Sequence, residues 1–246
     1  MRAQSVPAGN SYQLDDHRAR SNDLYANTKY EILLRYLEGR TPLRLLNAGC
    51  GSGELSFLLA KAGHHVIGID PGAEYIRMAE DSARRLGAAS CSFAVSSIAE
   101  FESKAPLDGL VATDVLEHIQ DDREAFQKMV NLVRPGGPIL ITVPAGPWLY
   151  GFHDEELGHY RRYSLQGLRR IAEEQCRVEE IRYFGFTLVP VCYLYSRLLR
   201  RPYPVAETGD SERNPFISGA LRALLALDRR LKAPFGTSVI MNAVRI

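Results

Sequence analysis

The sequence of 246 residues predicts an α/β fold with a doubly wound sheet, and two observations support this prediction. Short apolar runs alternate with amphipathic stretches, and glycine-rich or acidic segments directly follow several of the apolar runs. Strands that alternate with helices form parallel βαβ units, whose ligands bind beyond the carboxyl ends of the strands. We therefore expect the functional residues in the loops that follow strands.

Hydrophobic periodicity predicts seven strands and six helices. The strands are expected at residues 43–47, 65–70, 90–95, 107–113, 138–143, 178–184 and 238–244. The helices are expected at residues 22–39, 54–62, 73–86, 121–132, 165–174 and 217–231. Gly39 and Gly87 are the expected stops of two helices, and Ser164 is the expected N-cap of another. The first two dozen residues are polar and are expected to be irregular.

The composition is that of an ordinary globular protein, with 46% hydrophobic and 24% charged residues. A formal net charge of +1 provides no global attraction to nucleic acid, which is therefore not an expected partner. The four cysteines form no CxxC pair and are expected to be free thiols. No secretory signal is visible, and the longest apolar run, residues 184–195, is too short to span a bilayer. We expect a cytoplasmic protein with no integral membrane segment.

A glycine loop follows the first predicted strand, in the segment N-A-G-C-G-S-G that contains Gly49, Gly51 and Gly53. Glycine lets the backbone turn tightly and approach a ligand without a Cβ in the way. Asp70 ends the second predicted strand, where a carboxylate can accept hydrogen bonds from both hydroxyls of a ribose. The alternative is a turn whose glycines only permit tight packing. A dinucleotide fold is a second alternative, but its GxGxxG spacing is absent, and Glu54 would repel a pyrophosphate.

Three segments resemble ordered motifs of the class I S-adenosylmethionine-dependent methyltransferases, in particular of members that are similar to methyltransferase types 11 and 12. They are LLNAGCGSGELSFLLAKAGHHVIGID, LDGLVATDVLEHIQD and LVRPGGPILITVP. The resemblance covers about residues 22–184 and implies a Rossmann-like sheet with an N-terminal helix and a helical insert before the last strand. It also implies S-adenosyl-L-methionine as the cofactor.

The resemblance assigns the cofactor to a set of residues at the ends of the first four strands or shortly after them. They are Asn47, Gly49, Cys50, Gly51, Gly53, Asp70, Ser97 and Asp114. Two of them depart from the usual pattern. The family usually has Asp where Asn47 stands, so a negative charge is lost at that position. It also often has an acidic residue near the adenine, and here Ser97 would have to bind the adenine through its hydroxyl.

We expect a single domain over residues 1–246, made of an N-terminal arm and helix (1–41), a cofactor-binding core (42–184), a helical cap insert (185–236) and a last strand (237–246).

The segment D-V-L-E-H after the fourth predicted strand contains a candidate general base, His118. Methyl transfer is an in-line displacement that depends mainly on alignment, and a base helps when the acceptor is a hydroxyl or a protonated amine. The alternative is that Glu117 and His118 only cap the following turn. The segment also resembles the E-x-x-E-H metal motif of ubiquinone-pathway and small-RNA methyltransferases. Because Asp114 replaces the first Glu and no fourth ligand is evident, we expect no metal.

The loop after the fifth predicted strand, residues 148–163, is expected to close the acceptor pocket because it is rich in ionisable and aromatic residues. Its histidines, His153 and His159, are further base candidates. The residues expected to bind the acceptor are Tyr150, Tyr160, Arg161 and Arg162. The alternative is an internal salt-bridge network that fixes the loop.

The predicted activity is methyl transfer to a hydroxyl or amine of a small molecule. The segment HDEELGHYRRY resembles methyltransferases of secondary-metabolite, glycan or lipid pathways, which suggests an acceptor from one of these pathways. Other chemistry with the same cofactor, such as cyclisation, and a non-catalytic cofactor-binding scaffold are the alternatives. The insert combines an apolar face with a basic end at Arg197, Arg200 and Arg201. Such a face can pack on its own domain, on a second copy in a homodimer, or peripherally on a membrane.

Overall fold

A computed structural model describes residues 23–40, 42–201 and 215–246, with side chains from residue 219 onward in the last range. The seven strands of these ranges are β1 (Arg44–Ala48), β2 (His65–Asp70), β3 (Cys91–Val95), β4 (Gly109–Thr113), β5 (Pro138–Pro144), β6 (Cys176–Phe184) and β7 (Ser238–Arg245). Their α-helices are α1 (Leu24–Arg35), α2 (Glu54–Lys61), α3 (Ala73–Leu86), α4 (Asp122–Asn131), α5 (Phe152–Leu157), α6 (Leu165–Ala172), α7 (Val189–Cys192) and α8 (Pro215–Arg230). The prediction of an α/β fold is confirmed.

The strands form one sheet in the order β3-β2-β1-β4-β5-β7-β6. The strand order reverses between β1 and β4, which are parallel neighbours with Ala48 opposite Ala112. β7 runs antiparallel to both β5 and β6, so the expectation of parallel units does not hold for this strand. The reason is geometric, since the connection after β6 returns to the sheet at the same edge, where Ser238 lies opposite Phe184.

Apolar side chains cover both faces of the sheet, because successive residues of a strand point to opposite faces. In β5, Ile139 and Ile141 contribute to one core with α4 and α6, whereas Leu140 contributes to a second core with α1, α2 and α8. Every residue of β5 is buried. Burial on both faces anchors the central strands and hence the loops at their carboxyl ends.

Helix boundaries agree with the predicted ones to within a few residues, and the expected cap is present. Ser164 Oγ accepts a hydrogen bond from the amide of Gly167 at 3.0 Å. Helix α5 was not predicted, and neither was the π-helix (Tyr193–Leu199) that continues α7. The expected irregular N-terminal segment, residues 1–22, lies outside the described residues. No helix in the described ranges is both long and apolar enough to cross a membrane.

Candidate functional site

The carboxyl ends of β1, β2 and β4 meet at the point where the strand order reverses, and the loop from Gly49 to Gly53 lies there. Gly49 has φ +67° and Gly53 has φ +95°, a conformation that L residues with a Cβ rarely adopt. A Cβ on Gly49 would also lie 2.4 Å from a methyl group of Val115, in the turn after β4. The glycine loop therefore packs directly against the segment that follows β4.

Asp70 is held in place by the backbone on either side of it. One carboxylate oxygen accepts a hydrogen bond from the amide of Gly51 at 3.1 Å, and the other accepts from the amide of Gly72 at 2.8 Å. Burial raises the pKa of Asp70, and these two hydrogen bonds oppose the rise. Each oxygen retains an acceptor site for a further donor, so the oriented carboxylate can bind two hydroxyls side by side.

The other residues of the predicted cofactor set differ in their environments. Asn47 is buried, and its amide nitrogen donates to Ser56 Oγ at 2.9 Å, while its Oδ1 has no hydrogen-bond partner among the described residues. Cys50 is buried, its amide donates to the carbonyl of Ile69, and burial raises the pKa of its thiol. Ser97 Oγ donates to a carboxylate oxygen of Glu100 at 2.8 Å.

Asp114 forms a partly buried ion pair with Lys29, which belongs to helix α1. Asp114 has φ +55°, and its second carboxylate oxygen accepts from Thr142 Oγ1 at 3.1 Å. Lys29 is only 4% exposed, and its ammonium lies 5.2 Å from the centre of the Tyr25 ring. The fold thus places a positive and a negative group together beside the glycine loop.

A second buried network lies in the loop after β5 and centres on Asp154, which is 0% exposed. Arg162 Nε donates to both of its carboxylate oxygens, at 2.7 and 2.8 Å, and the amide of Gly151 donates at 3.0 Å. Burial favours the protonated acid, but the hydrogen bond with His159 and the charge of Arg162 hold the pKa of Asp154 at about 2. Asp154 is therefore ionised near neutral pH.

The ionised Asp154 determines which nitrogen of His159 carries the proton. His159 Nδ1 lies 2.9 Å from Asp154 Oδ1, and a carboxylate can only accept, so Nδ1 donates. The other ring nitrogen, Nε2, is then an acceptor in the neutral ring. The rings of His159 and His118 meet edge to face with centres 4.6 Å apart. Glu117, His118 and His159 each bring one potential ligand atom within 4.8 Å of the others.

The other loop residues predicted to act at the site either contact the rest of the protein or face the solvent. Tyr150 donates its hydroxyl to the carbonyl of His159 at 2.7 Å, and Arg161 pairs with Asp122 at 2.8 Å. Tyr160 is 55% exposed. The amide of His153 donates to Ser196 Oγ in the π-helix at 3.2 Å. Of the residues predicted from the sequence, His118 and His159 are therefore in contact, and the guanidinium of Arg162 binds Asp154.

Two residues of these networks, Lys29 and Asp154, received no role from the sequence. Lys29 interrupts the apolar stripe of α1, four residues after Tyr25 and four before Leu33, and both neighbours pack in the core on that side. A single lysine on a buried helical face is a signal that periodicity can detect. Asp154 carried no comparable signal, because it stands in a run of three acids.

An open apolar groove of about 440 Å³ lies at the same edge of the sheet. Trp148 from the loop after β5, Phe186 from the turn after β6 and Phe235 from the turn before β7 contribute aromatic rings to it. The Phe186 and Phe235 rings lie 4.9 Å apart, centre to centre. The groove therefore extends from the loop that contains His159 toward the segment between β6 and β7.

Comparison with known proteins agrees with this geometry. A family model described as a methyltransferase domain matches residues 41–180, more than half of the chain. A ubiquinone biosynthesis O-methyltransferase of Xylella fastidiosa (strain 9a5c) is 32% identical over 116 residues, which are 45% of this chain and 47% of that protein. The chain therefore spans about half the length of the curated relatives it matches.

Solved structures share the fold over nearly the whole chain. Phosphoethanolamine N-methyltransferase 2 of Haemonchus contortus, in complex with phosphomonomethylethanolamine and S-adenosylhomocysteine, superposes with a TM-score of 0.66 at 18% identity, covering 96% of this chain and 58% of that one. The [4+2]-cyclase SpnF superposes with a TM-score of 0.58 at 16% identity, covering 89% of this chain and 81% of that one. At these identities the likeness concerns the fold alone.

Proposed function

The chain belongs to the methyltransferase domain family, and from that premise we propose that it transfers the methyl group of S-adenosyl-L-methionine to a hydroxyl of a small-molecule acceptor. The observation that carries the proposal is the glycine loop after β1, whose Gly51 amide holds the Asp70 carboxylate at the end of β2. The match to O-methyltransferases supports an oxygen acceptor. An amine acceptor is the nearest alternative.

The residues at the switch point fit the cofactor at both of its ends. At the nucleoside end, Asp70 offers two oriented acceptor atoms to the ribose hydroxyls. At the amino-acid end, Lys29 and Asp114 match the carboxylate and the ammonium of the methionyl group in sign. When bound, the cofactor supplies an electrophilic methyl group on a sulfonium. The protein has to align the acceptor with it.

We assign proton removal from the acceptor hydroxyl to His159, because Asp154 fixes its tautomer with Nε2 as the acceptor. The edge-to-face contact with His118 keeps the two rings together. Arg162 then acts through Asp154 as a positioning residue rather than on the acceptor. The aromatic groove beside this loop suits an acceptor with an apolar part.

A divalent cation is a second candidate for activating the acceptor. Glu117, His118 and His159 offer one carboxylate and two imidazoles close together, a donor set that Zn²⁺ and Mn²⁺ accept. The metal motif considered from the sequence had Asp114 as its third ligand, whereas the group of potential ligands in the structure contains His159 instead. Removal of divalent cations distinguishes the two mechanisms.

Calorimetry with S-adenosylhomocysteine tests the proposed cofactor site. The wild-type protein should bind it and should not bind NAD or ATP. Asp70→Ala removes charge-assisted hydrogen bonds to the ribose and should weaken binding by about 1.5–3 kcal/mol, or roughly ten- to hundredfold. Asp81→Ala, an exposed acid on α3, is the matched control and should bind like wild type. Unchanged affinity in Asp70→Ala would contradict the assignment of the ribose.

Product analysis with a panel of phenols, alcohols and amines tests the reaction. A methylated hydroxyl product supports the proposal, whereas a methylated amine would move it to N-methyl transfer. An isomerised product of unchanged mass would indicate cyclisation or related chemistry. Cofactor binding without turnover on any acceptor would favour a non-catalytic scaffold.

A further inference from the structure

Exposed apolar side chains are concentrated in the connection between β6 and β7, within residues 185–201 and 219–237, which we call the β6–β7 segment. Among the described residues, nine of the fourteen large apolar side chains that are exposed lie in this segment. They are Val191, Tyr193, Leu194, Leu198, Leu199, Leu224, Leu227, Leu231 and Phe235. Exposed apolar side chains usually occur singly, and a cluster of them marks an interaction surface.

The helices of the β6–β7 segment each bear apolar residues on two faces. In α7 and the π-helix, Val189, Cys192 and Ser196 are buried, whereas positions 191, 194 and 198 are exposed and apolar. In α8, Leu225 is buried, whereas positions 224 and 227, together with position 231 directly after the helix, are exposed and apolar. Both exposed sets follow the i, i+3, i+7 spacing of one helical face. An outer face made of leucines is unlike that of an ordinary surface helix.

The same segment is strongly basic, although the chain has a net charge of only +1. The whole connection, residues 185–237, carries +4, because its residues 202–214 contain three acids and one basic residue. The β6–β7 segment itself contains seven basic residues and one acid. The basic residues are Arg197, Arg200, Arg201, Arg222, Arg229, Arg230 and Lys232. The acid, Asp228, is 2% exposed and accepts hydrogen bonds from Thr187. Arg200 and Arg229 pair with glutamates outside the segment, and the exposed charge that the other basic residues contribute is positive.

We propose that the β6–β7 segment docks the protein on an anionic lipid bilayer. Leucines and aromatic rings on the outer faces would enter the interfacial region while arginines meet lipid phosphates, as in helices that lie in the plane of a membrane. The groove lined by Trp148, Phe186 and Phe235 adjoins this surface. A symmetric contact with a second copy is disfavoured, because it would bring two surfaces of net positive charge together.

Sedimentation of the full chain with lipid vesicles tests the proposal. The protein should bind vesicles of mixed phosphatidylcholine and phosphatidylglycerol, and bind far more weakly to phosphatidylcholine alone or at high salt. Leu194→Ser with Leu198→Ser, or Leu224→Ser with Leu227→Ser, should weaken binding about tenfold or more. Leu86→Ser, an exposed leucine on α3, is the matched control and should bind like wild type.

Charge reduction provides the second arm. Arg222→Gln with Arg230→Gln should weaken vesicle binding, and Arg84→Gln with Arg85→Gln on α3 should not. Circular dichroism and thermal unfolding check that each variant folds. Failure of the folded wild-type protein to bind anionic vesicles overturns the proposal, and so does equal binding to neutral ones. A dimer without lipid that the leucine substitutions dissociate would assign the surface to a second copy instead.

Discussion

At the scale of single residues, the charged groups of the site are oriented by the protein's own hydrogen bonds. Asp70 is fixed by two backbone amides, and Asp114 by Lys29 and Thr142. Orientation of this kind reduces the ordering that a ligand must bring about when it binds. The proposed ligand contacts therefore need little rearrangement of side chains.

Lys29 provides a test that separates the two ends of the proposed cofactor. Lys29→Met removes the positive group but retains a long apolar side chain, so affinity for S-adenosylhomocysteine should fall roughly tenfold with loss of one charged hydrogen bond. Affinity for 5′-methylthioadenosine, which lacks the amino-acid group, should not change. Calorimetry with both ligands measures the difference. An equal loss for the two ligands would show that Lys29 acts only by holding α1 in place.

The proton-transfer assignment predicts a large effect on turnover alone. His159→Gln should lower kcat by a factor of about 10²–10⁴ and leave S-adenosylhomocysteine affinity intact. His153→Gln is the matched control from the same loop and should retain most of the activity. If both variants turn over like wild type, the base lies elsewhere, and His118 is the next residue to replace.

Chelation decides between His159 as base and a bound cation. We expect dialysis against EDTA to leave turnover nearly unchanged, because proton transfer by an imidazole needs no metal. A loss of activity that Mg²⁺, Mn²⁺ or Zn²⁺ restores would instead assign Glu117, His118 and His159 to a cation. Cofactor affinity measured on the same samples shows whether the site itself is intact.

At the scale of elements, the short helix α5 exists because of a tertiary ion pair. Six residues are too few for a stable isolated helix. α5 lies between Gly151 and Gly158, and Gly158 ends it with φ +72°. Asp154 on its inner face binds Arg162, while Glu155 on its outer face pairs with Arg200 in the solvent.

Two neighbouring acids of α5 should therefore differ sharply in their effect on stability. Asp154→Ala leaves Arg162 buried without its carboxylate, and we expect a loss of about 3–5 kcal/mol in the free energy of unfolding. Glu155→Ala removes an exposed pair and should cost less than about 1 kcal/mol. Urea denaturation measures both. Similar values for the two variants would mean that the buried network does not stabilise the loop.

At the scale of the whole molecule, the proposed cofactor bridges α1, the glycine loop and the ends of β2 and β4. A ligand that binds only the folded state stabilises it by about 2.7 kcal/mol at a hundred times its Kd. For a chain of this size that corresponds to a rise in Tm of roughly 5–10 °C. Differential scanning calorimetry should show this rise with S-adenosylhomocysteine. The Asp70→Ala variant should show a much smaller rise at the same ligand concentration.

The antiparallel direction of β7 is also a whole-molecule feature. β5 and β7 pair over seven residues, from Pro138 opposite Val244 to Pro144 opposite Ser238. The turn that precedes β7 is thereby placed at the carboxyl edge, beside the loop that follows β5. Phe235 reaches Trp148 for this reason, with ring centres 6.4 Å apart.

The sequence by itself determined the α/β class, the location of nearly every strand and helix, and the family, because periodicity and the glycine loop are local patterns. Only the tertiary structure decided which charges meet. Lys29 and Asp114 are 85 residues apart, and Glu117 and His159 are brought together although one strand and two α-helices separate them along the chain. Such contacts depend on strand order and on the direction of β7, which are features of the assembled sheet. The spacing of residues along the chain does not encode them.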